Sequence, residues 1–230
     1  PYDELHPSEI ANLLKDLDEK SFDEAVQAIP KVLVADVALE LPDRYFVDVV
    51  ESFTTKELAD SVSELESDDQ TDFMQELEEV DQGMAKAVFN QLDEEDQADI
   101  LQLKQYEEEE AGAYMQVEVY TANLHHTVHD VIREFAQLRR KDELENVNYL
   151  FVTDEEGSLR YGIGLDHLLV FNFDKTLEEN INENPEKYKP VVGQDHDDIA
   201  DVVQKFQEYD LSSMPIVDEN GRLLGRITSD

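Results

Sequence analysis

Six apolar residues, Leu17, Ile29, Leu41, Phe53, Leu65 and Leu77, stand at a strict spacing of twelve. Each is followed by a polar residue or proline: Asp18, Pro30, Pro42, Thr54, Glu66 and Glu78. Inside each unit the apolar spacing is helical, as in Leu33, Val37 and Leu41, or Leu58, Val62 and Leu65. One such short amphipathic helix cannot bury its apolar face alone. Successive units must therefore stack, and the pattern predicts a right- or left-turning superhelix of ~12-residue repeats. Punctuation agrees. Residues 1–111 hold a single glycine, Gly83, and the prolines of this half (Pro1, Pro7, Pro30, Pro42) lie at seams between periodic segments. The rhythm weakens after residue 78, and a last helix is expected from Asp93 to about Tyr106.

Charge narrows the partners. The 230 residues carry 57 Asp and Glu against 18 Lys and Arg, a formal net charge of −39. Residues 1–112 contain 33 acids and 7 bases, net −26; the remainder contains 24 acids and 11 bases, net −13. Nucleic acid and anionic membrane bind through clustered Lys and Arg, so neither is an expected partner. Cations, metal ions or basic protein surfaces are. Acidity that serves only solubility, or a salt-rich environment, is the plainer reading. With no cysteine, disulfides and thiolate metal sites are excluded. No signal peptide opens the chain. The longest apolar runs, such as Leu168–Phe171, fall far short of the ~20 residues of a membrane span, so a soluble, cytosolic chain is expected.

The second half alternates strand and helix signals. Val117–Thr121 alternates like a strand, and Thr127 caps an amphipathic run through Val128, Val131, Ile132, Phe135 and Leu138. Tyr149–Thr153 reads as a buried strand, Asp154–Gly157 as a turn and Leu159–Leu165 as its partner. The order then returns: helix over Asp197–Tyr209, strand over Met214–Val217, turn over Asp218–Gly221, strand over Leu223–Thr228. FVTDEEGSL at 151–159 and PIVDENGRL at 215–223 mark an internal duplication.

The stretch MPIVDENGRLLGRIT (214–228) closely resembles the signature of CBS domains, which usually come in pairs. The whole order, an acidic twelve-residue helical repeat from His6–Pro7, then YEEEEAG at 106–112, then a CBS pair, resembles the cytosolic region of MgtE-family magnesium channels. The resemblance implies α plus α/β architecture in three parts. These are residues 1–112 as the acidic superhelix, 113–178 as the first CBS domain and 179–230 as the second, truncated at its end. It also implies a homodimer formed through the CBS domains, and a transmembrane pore domain that this chain does not include. The chain is then expected to be a soluble fragment from the cytoplasmic face of a membrane protein.

Magnesium takes oxygen ligands, keeps several waters and usually meets one or two carboxylates per site. Asp68 and Asp72 stand one helical turn apart, with Asp69 beside them. Acids in a first helical turn after Ser67 also stabilise the helix dipole, which is the simpler explanation of Asp68 and Asp69. The resemblance places acidic magnesium contacts at Asp36, Asp68 and Asp72, and further ones at Asp198 and Asp210 in the second CBS domain. It implies that magnesium bridges the two acidic regions and favours a closed pore.

ATP is the second candidate ligand. CBS pairs often bind adenine nucleotides through Ser or Thr followed three residues later by Asp, but the first domain has Gly164 and His167 there. Thr228 is present in the second, and Tyr149 occupies an aromatic position that faces a base or the core. His125, His126 and His129 bracket the cap Thr127 with no evident fourth ligand and read as surface residues. Gly162–Ile163–Gly164 lacks the third glycine of a dinucleotide fingerprint. No nucleophile–base pair or P-loop is seen, so an enzyme is not expected. The alternatives to a magnesium sensor are a nucleotide-sensing CBS module and a helical-repeat scaffold for a protein partner.

Overall fold

The computed structural model describes residues 5–140 and 147–229. The chain divides into two compact units, residues 1–104 and 105–230.

The first unit is all helical: α1 (Pro7–Lys15), α2 (Glu19–Val26), α3 (Val34–Leu39), α4 (Asp43–Glu51), α5 (Thr55–Val62), α6 (Ser67–Val80), α7 (Gln82–Phe89) and α8 (Glu94–Leu103). The starts follow from side-chain caps. Asp18 accepts from Ser21 N, Asp81 from Met84 N and Asp93 from Asp96 N, while Thr54 and Glu57 form a reciprocal capping box. Helices pack on the next but one as well as on neighbours: α1 on α3, α3 on α5, α5 on α7, α6 on α8. That is the stacking the repeat requires. One continuous core results, with Phe46 and Phe73 rings 5.2 Å apart at its centre. Ile29, Leu41 and Leu77 of the twelve-residue series are buried, Phe53 and Leu65 partly so. Leu17 departs from the pattern: it lies in a turn and is exposed. Leu77 does not close a helix either, because α6 continues to Val80 before Asp81 turns the chain. The last helix starts as expected at its cap Asp93 but ends at Leu103, earlier than the pattern suggested.

The second unit contains β1 (Tyr120–Asn123), α9 (Val128–Arg140), β2 (Tyr149–Thr153), β3 (Leu159–Gly164), α10 (Leu165–Leu168), α11 (Leu177–Ile181), β4 (Gly193–Gln194), α12 (Ile199–Tyr209), β5 (Ser213–Val217) and β6 (Leu223–Thr228). The duplication is real. Each half builds a three-stranded sheet in which the first strand pairs parallel with the second, and the second antiparallel with the third. The first strand lies at 120–123 rather than 117–121, because its register is fixed by Tyr120 opposite Leu150 and Asn123 opposite Thr153. Both hairpins turn on a glycine with positive φ, Gly157 at 83° and Gly221 at 79°, where a side chain would be strained. The two hairpin tips also bond each other: Leu159 N donates to Gly221 O, and Leu223 N donates to Gly157 O.

The segment YEEEEAG does not continue the helical stack. Its backbone bonds to the second half of the duplicated module: Ile199 N donates to Glu109 O, Ala111 N to Asp197 O and Gly112 N to Asp195 O. Among the described residues no helix is long and apolar enough to cross a membrane.

Candidate functional site

The side chains that orient α6 are polar and buried. Gln70 Nε2 donates to Val62 O at 3.1 Å, and Thr71 Oγ1 donates to Ser67 O at 2.8 Å. With Phe73, Met74 and Leu77 also inside, the helix is locked in rotation. Its remaining stripe, spaced by four, is Asp68, Asp72 and Glu76. Asp43, in the first turn of α4, acts on the end of this stripe.

The electrostatics show the crowding. Asp72 keeps contact with solvent, yet the protein packed round it, and secondarily the Asp68 charge, push its carboxyl up to about 6. Glu76, half-buried, is pushed up to about 7, first by desolvation and then by Asp43, Glu79 and Asp72. Among the described residues no Lys, Arg or His lies within ion-pair distance of Asp72 or Glu76. At Asp72 and Glu76 this is under-compensated negative charge, with oxygen donors only. It suits a hard, hydrated cation held partly through its waters better than a fully coordinated metal. Among the described residues no group of three or more His, Cys, Asp or Glu is placed so that it could hold a metal ion by itself.

Of the other sequence candidates, Asp36 lies on α3 and is half-buried. Its carboxyl is raised by burial and by Glu40, partly offset by His6. Helix α3 packs on α6, so Asp36 and the stripe belong to adjoining helices. Asp198 caps α12, accepting from Ala200 N at 2.8 Å. Asp210 ends that helix in the left-handed conformation, φ 51° and ψ 52°, which aspartate tolerates better than most residues. These two therefore stand at opposite ends of an eleven-residue helix, about 18 Å apart along its axis, and do not form one site with each other.

The nucleotide candidates are placed as follows. Tyr149 is half-buried on β2, directly opposite Gly164 on β3, and stacks against Phe151 with ring centroids 6.4 Å apart. Thr228 ends β6 opposite Ser213. His167 stands edge-on to Tyr188, centroids 6.1 Å apart, so a packing contact occupies the position where a ribose-binding aspartate would be. His125 and His126 are exposed, His125 being 3.7 Å from Glu178.

Two groups were missed in the sequence. Glu76 was legible, since the Asp68–Asp72 spacing of four simply continues to it. Asp43 was not, because only the packing of α4 brings it near.

By fold, the chain is an acidic helical repeat followed by a tandem CBS pair. Residues 5–109 match the family model described as the MgtE intracellular N domain, and residues 187–230 match that of the CBS domain. The magnesium transporter MgtE of Thermus thermophilus is 32% identical over 139 residues, which is 60% of this chain and 29% of that protein. A crystal structure of the cytosolic domain of the magnesium channel MgtE in complex with ATP superimposes with a TM-score of 0.86 at 28% identity, covering 98% of this chain and 88% of that one. A crystal structure of the soluble part of a magnesium transporter gives a TM-score of 0.80 at 26% identity, covering 98% and 85%. The fold is that of the MgtE cytosolic domain, and the chain spans under a third of the length of the curated relatives it matches.

Proposed function

We propose that this chain is the magnesium-sensing regulatory part of a magnesium transporter and acts at the cytoplasmic face of the membrane, without catalysing a reaction. The observation that carries this reading is the Asp68–Asp72–Glu76 stripe, in which desolvation first, and then neighbouring charge (Asp68 on Asp72; Asp43, Glu79 and Asp72 on Glu76), raises the Asp72 and Glu76 carboxyls. Charges held together against their repulsion bind a divalent cation with a gain that monovalent screening does not match. Asp36, Asp68 and Asp72 on the helical unit, with Asp198 and Asp210 on the second CBS unit, are the residues assigned to hydrated magnesium. Bound ions then favour one conformation over another, as a switch requires. In the assembled protein that conformation closes a transmembrane pore, and the CBS units pair with those of a second copy. The domain limits that go with this reading are 1–112, 113–178 and 179–230. Support comes from the magnesium-transporter relatives and the acidic balance of the helical unit.

Limited proteolysis of residues 105–120 with small-angle scattering, over a magnesium titration, tests it. Protection and compaction lost in an Asp68→Ala, Asp72→Ala variant support the sensor. Run against a constant background of about 0.5 M NaCl, which screens exposed charge, an absent magnesium response sinks it. A second reading, adenine-nucleotide sensing, is favoured by the ATP-bound structural relative, with Tyr149 and Thr228 as its contacts. Gly164 and His167 weigh against it. ATP binding by calorimetry in the absence of magnesium would promote it.

A further inference from the structure

The duplication extends to a feature that the sequence pattern alone does not reveal. Each CBS unit is closed by a short backbone strap that precedes the other unit in the chain. On the second unit, Ile199 N donates to Glu109 O, Ala111 N to Asp197 O and Gly112 N to Asp195 O, with Glu110 bridged to Asp198. On the first unit, Val128 N donates to Lys175 O, Leu177 N to His126 O and Glu178 N to Leu124 O, with Thr127 bridged to Thr176. The match is residue for residue: 109–112 does for 195–199 what 175–178 does for 124–128. The strap that leads out of the helical unit thus completes the second CBS unit, not the first that follows it in sequence.

The two straps differ in charge. On the first unit, Lys175 and Glu178 meet Leu124, His125, His126 and Thr127, a turn with no carboxylate of its own, beside Asp154, Glu155, Glu156 and Arg160. On the second, Glu109 and Glu110, preceded in the chain by Glu107 and Glu108, pair by backbone with an edge that carries Asp195, Asp197 and Asp198, with Asp218 and Glu219 close enough to act on Tyr106 and His196. Among the described residues the opposing contacts are these. His196 Nδ1 is 2.7 Å from Glu110 Oε1 and its Nε2 is 3.6 Å from Asp195 Oδ2; Lys205 Nζ is 3.6 Å from Asp197 Oδ2; and Tyr106 donates its hydroxyl proton to Asp195 Oδ2 at 3.0 Å. Backbone bonds therefore hold this strap against like charge that acts over a Debye length, about 30 Å at 10 mM salt and about 3 Å at 1 M.

We infer that the 107–112 strap is an ionic-strength-controlled attachment to the second CBS unit, seated when the neighbouring carboxylates are screened and loosened when they are not. No specific ligand is involved. The 175–178 strap is its built-in control, having the same bonds with Lys175 and Glu178 in place of a run of four glutamates.

Amide hydrogen exchange on the full chain tests this, in EDTA so that the outcome does not depend on the magnesium reading. Between about 10 mM and about 0.5 M NaCl at fixed pH, exchange at Ala111, Gly112 and Ile199 is expected to slow several-fold. Exchange at Val128, Leu177 and Glu178 is expected to stay constant. A Glu107→Gln, Glu108→Gln, Glu109→Gln variant, which keeps every backbone bond, should show the slow rates already at low salt and respond no further. Equal slowing at both straps, no slowing at either, or an undiminished salt response in the variant would overturn the inference.

Discussion

The Ser61 hydroxyl, fully buried on α5, accepts a hydrogen bond from the Ala35 backbone amide at the start of α3 at 2.8 Å and donates onward to Val32 O at 3.2 Å. One small polar side chain therefore satisfies a helix start that has no cap of its own, since Leu33 offers no side-chain acceptor. Replacing Ser61 with Ala leaves the Ala35 N–H buried without its partner, and the helical unit should lose about 1–3 kcal/mol of stability. Urea denaturation followed by circular dichroism measures this. An unchanged midpoint would show that the bond adds nothing.

Acid should stabilise the helical unit over a restricted window. A carboxyl whose folded pKa exceeds its unfolded one binds more protons in the fold, so its contribution is present at low pH and lost as pH rises through the folded value. For Asp72 and Glu76 those values are about 6 and about 7, against ordinary values of 3.8 and 4.5. Melting temperature should therefore rise by a few degrees between pH 7.5 and about pH 5.5. Below that the trend reverses as depressed carboxyls protonate, among them Glu57, held at about 2 chiefly by its hydrogen bond from Lys31. An Asp72→Asn, Glu76→Gln variant should melt higher at neutral pH and show a flatter profile. A wild-type profile that is already flat from pH 7.5 to 5.5 refutes this.

Cation binding at the same stripe should release protons. Near pH 6.5 both Asp72 and Glu76 are partly protonated, and a divalent ion favours their charged forms. Calorimetric titration with magnesium in two buffers of different ionisation enthalpy should therefore give different apparent heats, a difference lost in Glu76→Gln, Asp72→Asn. Identical heats in the two buffers would place the ion elsewhere.

Gly112 has no room for a side chain, because a Cβ there would sit 2.5 Å from the Tyr106 ring. Gly112→Val should displace that ring, weaken its bond to Asp195 and speed proteolytic cutting of residues 105–112 several-fold. The cutting rate elsewhere in the chain should not change. Tyr106→Phe, which loses only the hydroxyl, should fall between wild type and Gly112→Val.

How much was legible depended on whether a feature was local. The helical stack was, because Ile29, Leu41 and Leu77 are buried at the interval they keep in sequence. The hairpins were, because a glycine at the end of each DEEG or DENG turn meets a backbone demand that can be read from four residues. Leu17 misled because an apolar residue in a turn is not bound to be core, and the strand at 120–123 was displaced because register is settled by a partner thirty residues away. Of the site, Asp68 and Asp72 were visible as a spacing, and Glu76 was visible but unread. Asp43, and the bonding of 109–112 to 195–199, depend on long-range packing that no local pattern encodes.

The strap also orders events during synthesis. His196, the partner of Glu110, lies 86 residues further along, about 4–17 s later at ordinary elongation rates. The helical unit is complete well before then, and its exit segment must wait on the ribosome with its bonding edge open. A neutral segment in that position could pair with any passing strand. Four consecutive glutamates keep it from doing so, so the same repulsion that loosens the finished joint guards the nascent chain until its own partner emerges.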